Sequence, residues 1–160
     1  MAAVQGAAVG GGLGLALVAD FRVAAPESRF SANFARLGFF PGFGLTVTLP
    51  RLVGGQAAQE LLYTGARIGG ERALALGLCD RLVPTDQIRP AAIAFAAEIA
   101  ASGPLAVPRI RRALRGDLVE AVRAATEREA GEQAALAGTA DFAEGVRAMA
   151  DRRPPVFEGR

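Results

Sequence analysis

Three consecutive glycines, Gly10, Gly11 and Gly12, lead directly into an uncharged apolar run from Leu13 to Ala19. Without a Cβ, such residues let a ligand or another stretch of backbone come close to their main-chain N–H groups. The run that follows reads as a short buried helix over residues 12–19, flanked by strands at 1–4 and 21–24. The first N–H groups of a helix find no acceptor inside it and point back at the loop. A bare loop feeding a helix start is therefore an anion site built from main chain alone, suited to a developing oxyanion. The same glycines also suit a tight helix–strand crossing that binds nothing, and the loop by itself does not separate these readings.

Absent residue types narrow the chemistry. The 160-residue chain contains no histidine and no lysine. Ser-His-Asp catalysis and His-based metal sites are thereby excluded within the chain, as are Schiff bases and a P-loop lysine. Cys79 stands alone, so no internal disulfide or CxxC pair can form; its surroundings, Gly77-Leu78-Cys79-Asp80, read as core at a strand start. A GxGxxG fingerprint fails because Leu15 or Leu17 occupies the third glycine position. Proton transfer by a side chain must use a carboxylate, Tyr63 or water. The net charge of +2 is a weak argument for nucleic acid. Arg109, Arg111, Arg112 and Arg115 are followed by Asp117, Glu120, Glu127 and Glu129 without interleaved aromatics, so they read as a solvated helix face. Residues 2–19 are uncharged over about a membrane span. No basic residue precedes them and five glycines fall between positions 6 and 14, which argues for a soluble, cytoplasmic chain without leader or anchor.

Two zones divide the chain. Residues 1–85 have the texture of mixed α/β structure, with turn signals at Pro26, Gly38, Pro41-Gly42, Gly54-Gly55 and Gly69-Gly70. Residues 56–63 and 71–76 read as helices and 82–84 as a strand, while 45–49 fits a β-branched strand or a helix end. Residues 86–160 are rich in Ala, Arg and Glu with helical spacing. Ile88, Ala92, Phe95 and Ile99 form one apolar stripe, which Thr85 or Asp86 can cap. Phe142, Val146 and Met149 form another before Pro154-Pro155.

Several ordered motifs share one resemblance. The stretch from Gly6 to Ala24, with Gly10-Gly11-Gly12-Leu13-Gly14 and Asp20-Phe21-Arg22 at its centre, resembles the signature of the enoyl-CoA hydratase/isomerase (crotonase) family. So do Leu37-Gly38-Phe39-Phe40-Pro41-Gly42-Phe43-Gly44, Leu49-Pro50-Arg51-Leu52-Val53-Gly54, Tyr63-Thr64-Gly65, Asp80-Arg81-Leu82-Val83-Pro84 and the tail from Asp141 to Arg160. The resemblance implies an α/β crotonase-like ββα spiral core over residues 1–85, N-terminally incomplete, and an all-α trimerisation region over 86–160. It further implies homotrimers or hexamers, and an acyl-CoA substrate with coenzyme A as part of it and no separate cofactor. Neither a metal, a nucleic acid nor a membrane is expected. The family's upstream segment, roughly a third of a typical member, carries a second oxyanion N–H and much of the coenzyme contact surface.

Site residues follow from the same resemblance. The middle glycine supplies an oxyanion N–H, which falls at Gly11, and Gly10, Gly12, Gly14, Phe34, Phe39, Phe40, Pro41 and Gly42 line the substrate. Arg152 aligns with a basic residue that meets coenzyme A phosphate, and an arginine fork suits that group. The two hydratase glutamates align with Gly14 and Phe34, neither of which can exchange a proton. The expectation is enolate stabilisation without two-glutamate hydration, the alternative being a non-catalytic acyl-CoA-binding protein or an inactive fragment. Asp20 reads as a structural hydrogen-bonding partner and Arg36 as a surface residue able to orient a polar substrate group.

Overall fold

The strands are short because small and β-branched residues come in runs of only two or three between glycine and proline turns. In the computed structural model, which describes residues 1–160, they form two three-stranded sheets. β1 (Ala2–Val4), β3 (Arg22–Ala24) and β6 (Arg81–Leu82) run parallel in the order β1-β3-β6, with Ala2 opposite Arg22 and Val23 opposite Arg81. β2 (Ala7–Val9) lies parallel to β4 (Arg29–Ser31), which pairs antiparallel with β5 (Ile68–Gly69). Central β3 is covered on both faces and shows no alternation of buried and exposed residues, as a parallel strand should. Its start is fixed by buried Arg22. The Arg22 guanidinium donates to the carbonyls of Leu78, Ala19 and Asp20 and to the Asp80 carboxylate, so the buried charge is paired and hydrogen-bonded.

Helix α1 (Gly11–Val18) joins β2 to β3. A 3-10 turn over Asn33–Leu37 precedes α2 (Leu45–Val53), α3 (Gly55–Thr64) and α4 (Gly70–Ala75). The remaining helices are α5 (Ile88–Ala100), α6 (Ala106–Arg115), α7 (Leu118–Ala137) and α8 (Ala140–Ala150). Leu13, Leu17, Phe30, Phe34, Leu45 and Leu49 anchor the main core, and Ile88 and Ala92 of α5 pack with Val23 and Ala25 in a second cluster. Residues 2–19 are divided among β1, β2 and the eight-residue α1, and no helix is long and apolar enough to cross a membrane.

Of the two readings open for residues 45–49 the helix holds, because Leu45 and Leu49 share a buried face and the carboxylate of Glu129, reaching over from α7, receives the first N–H groups. Other local expectations are corrected. Neither Thr85 nor Asp86 caps α5: Thr85 donates its hydroxyl to Glu27 and Asp86 accepts from Gln87. On α8 the buried residues are Gly145 and Ala148, while Val146 and Met149 face outward. Gly145 lies flush against the Leu37 backbone, where a Cβ would come within 2.4 Å, so the helix docks through its smallest residue. Strands β2 and β4 were not expected from sequence, since neither alternates cleanly in burial.

Candidate active site

The glycine turn is held from both sides. Gly10 N–H donates to the Ser31 carbonyl, and the Gly10 carbonyl accepts from Leu13 N–H and Gly14 N–H. The helical ladder of α1 therefore begins with the Gly10 carbonyl as first acceptor and Leu13 N–H as first donor, so the Gly11 and Gly12 N–H groups fall before it. Gly10 sits at φ +55°, where a side chain is strained, and a Cβ there would lie 3.2 Å from Asn33 Oδ1. Gly12 faces open space. It contributes to a groove of about 650 Å³ along β1, β2 and the outer face of α1, where Leu15 and Val18 are exposed.

Phe43 decides the character of the inner face. A Cβ on Gly11 would meet the Phe43 ring at 2.6 Å, and one on Gly14 would meet Phe43 Cβ at 2.4 Å. The two glycines thus make a flat bed for one aromatic residue. Phe43 holds φ +60°, a conformation that is a genuine outlier for a bulky side chain. It is kept there by the residue beside it. Glu129, 1 % exposed, accepts from Gly44 N–H at 2.8 Å, Thr46 N–H at 3.2 Å and Thr46 Oγ1 at 2.7 Å, so α7 caps α2 with a carboxylate.

The expected lining residues separate into two groups. Phe34 joins the site, being buried with its Cζ 3.8 Å from the position of a Gly10 Cβ. Phe39 turns away and stacks on Phe142 of α8, with centroids 4.5 Å apart. The Phe40 carbonyl accepts from Gln133 of α7, and a Cβ on Gly42 would meet that same side chain at 2.7 Å. Pro41 lies between them, half-buried in the segment that α7 holds. Tyr63 is 74 % exposed and Cys79 is buried, so neither is placed for chemistry at the turn. Burial, with a contribution from the Asp80 charge, pushes the Cys79 thiol up.

Charged residues near the site have structural partners or line a second cavity. Arg111 and Arg115 of α6, four residues apart on one face, both grip Asp20, and Arg115 also donates to the Val18 carbonyl at the end of α1. Partial burial would raise the Asp20 carboxyl, but hydrogen bonds and charge from the two arginines outweigh it and hold the group below its ordinary range. Half of the expected solvated face is thus a clamp, and the i,i+4 spacing of Arg111 and Arg115 was the available signal. Arg152 lines a cavity of about 620 Å³ shared with Val9, Asn33 and Arg36.

The comparisons with known proteins agree with this architecture. The family described as enoyl-CoA hydratase/isomerase matches residues 1–160. A probable enoyl-CoA hydratase of Rhodobacter capsulatus is 38% identical over 160 residues, covering 100% of this chain and 62% of that protein. The 2,3-dehydroadipyl-CoA hydratase of Escherichia coli is 36% identical, over 100% of this chain and 63% of its own length. Among solved structures, carnitinyl-CoA hydratase from Mycobacterium avium superposes with a TM-score of 0.91 at 32% identity, covering 99% of this chain and 62% of that one. The fold is crotonase-like α/β, and the chain belongs to the enoyl-CoA hydratase/isomerase family. It spans about 62% of the length of such relatives.

Proposed function

We propose that the chain binds an acyl-CoA thioester at the glycine turn, where the Gly11 N–H steadies the carbonyl oxygen as it takes on enolate charge. The observation that carries this reading is the position of that N–H, ahead of the first donor of α1 (Leu13 N–H) and at the positive end of the helix. One such donor is typically worth roughly a hundredfold to a thousandfold in rate. Gly10 and Gly12 shape the turn, and Gly14, Phe34 and Phe43 give the acyl group an apolar bed. Arg152 offers its guanidinium to coenzyme A phosphate.

Hydration by two carboxylates does not fit this bed. Positions 14 and 34 hold Gly and Phe, and Phe43 already fills the space into which a side chain at 14 would grow. The chemistry we assign is enolate stabilisation, with the proton carried by water or by a group outside these two positions. Gly14 and Phe34 also favour a second reading, a non-catalytic acyl-CoA-binding protein or an inactive fragment, because they stand where acid–base groups are expected and Phe43 covers Gly14 with an aromatic surface. Association of copies through the helical region, as a trimer or hexamer, is supported by the exposed Ile93, Leu105, Ile110, Leu114 and Val119.

Titration calorimetry with butyryl-CoA and free CoA, alongside the enoyl-thioester absorbance of crotonyl-CoA, tests the proposal. Tighter binding of the thioester with no loss of the absorbance band is expected. Rapid loss of the band would contradict the role given to Gly14 and Phe34, and equal affinity for both ligands would remove the oxyanion contact.

A further inference from the structure

A cavity of about 480 Å³ lies under α6, at the opposite end of α1 from the glycine turn. Its inner wall is Phe21 with Ala96 and Ile99 of α5, and its outer wall is Val107, Ile110 and Leu114 of α6. Positions 107, 110 and 114 form one apolar stripe, which on a surface helix ordinarily packs into the core. Here it does not reach one. No residue of α6 is buried, and Ile110 and Leu114 are 57 % and 82 % exposed. The inner wall is fixed in place, because the Phe21 ring rests on Phe95 with centroids 4.8 Å apart and Arg81 lies 3.6 Å over the Phe95 ring.

The rim adds an independent observation. Arg111, Arg115 and Asp20 are the charged side chains that line the cavity, two cations against one carboxylate. Arg111 reaches Asp20 through Nε alone, so both of its Nη groups are uncommitted. Arg115 commits Nε and Nη2 to Asp20 and the Val18 carbonyl and keeps Nη1 free. Cavities of roughly 300–1,000 Å³ with apolar walls and a few convergent polar groups are the usual form of small-molecule sites. Apolar walls under a rim with one cation in excess match a molecule with an apolar body and one anionic end. A two-fold contact between copies through this face fits less well, since it would set Arg111 and Arg115 against their own counterparts.

We infer that the cavity under α6 binds a free medium-chain fatty carboxylate. The hydrocarbon chain lies between Phe21, Ile99 and Leu114, and the head group takes the Arg111 Nη groups as a charge-assisted, bidentate pair. The site is separate from the glycine turn, about 12 Å away along the eight residues of α1. It does not depend on the acyl-CoA reading.

Titration calorimetry of the full chain with decanoate, decanol and decylammonium tests the assignment. Decanoate should bind saturably at one per chain, decanol roughly tenfold more weakly, and decylammonium more weakly still. Arg111→Gln should bring decanoate down to the affinity of decanol and leave decanol itself unchanged, which a merely structural role for Arg111 would not do. Leu114→Glu should abolish binding of both without lowering the melting temperature, because Leu114 is exposed. Butyryl-CoA should bind the parent and both variants alike. Equal affinity for decanoate and decanol, or decanoate binding untouched by both substitutions, would overturn the proposal. So would a parent that ignores decanoate and sediments as an oligomer which Leu114→Glu splits, since α6 would then meet a second copy.

Discussion

Removing the Glu129 carboxylate should loosen both α2 and the Phe43 bed. The two oxygens receive Gly44 N–H, Thr46 N–H and Thr46 Oγ1–H from within a buried site. A hydrogen bond to a charged group contributes roughly 1.5–3 kcal/mol, but three bonds to one carboxylate do not add. Glu129→Ala leaves buried donors unmatched, each at about 1–3 kcal/mol and not additively, so a loss of about 2–4 kcal/mol is expected. Glu129→Gln retains one carbonyl acceptor but turns an NH2 toward a donor, so about 2 kcal/mol is expected. Urea unfolding of the full chain, compared at constant m-value, reads both. A loss below about 1 kcal/mol for Glu129→Ala, the size of an ordinary surface substitution, would refute the capping argument.

Gly14→Ala should cost about 1–3 kcal/mol through overpacking against Phe43 Cβ. In a Phe43→Gly background the same change should be neutral or stabilising, since alanine suits a helix interior better than glycine; an unchanged cost in the double variant would contradict the contact. A hydrogen bond from Arg153, helped by Val156 N–H, lowers the Glu144 carboxyl to about 2. A depressed acid supports the folded state above its unfolded value near 4.5 and ceases to do so as pH falls through about 2. The protection of the Val156 amide, taken relative to its intrinsic exchange rate at each pH, should therefore fall between about pH 4.5 and 2, and constant protection would show that the Glu144 contact does not hold the tail.

How much the sequence disclosed depends on whether the deciding contact was local. Helix α1 and the turn before it were legible because glycine freedom and an apolar run are local properties. The stripe of α5 was legible because Ile88 and Ala92 are both buried. Residues 45–49 were ambiguous because their β-branched side chains favour a strand, whereas a carboxylate about 80 residues downstream sets the helix. The same distance hid the role of Phe43. Phe34, Phe39 and Phe40 were expected to line the site, yet Phe34 and Phe43 come to the turn, while Phe39 stacks on α8. Asp20 was read as a structural partner, and the i,i+4 spacing of Arg111 and Arg115 marks a shared face, but that this face meets Asp20, 91 and 95 residues away, is set by how the helices pack.

The Gly11 amide itself provides the most direct measurement. In the 15N-labelled chain titrated with butyryl-CoA, its proton resonance should move downfield more than that of any other residue of the turn. Free CoA should leave it nearly still. A bound thioester that shifts other resonances but not this one would show that charge on the carbonyl oxygen is not met at residue 11.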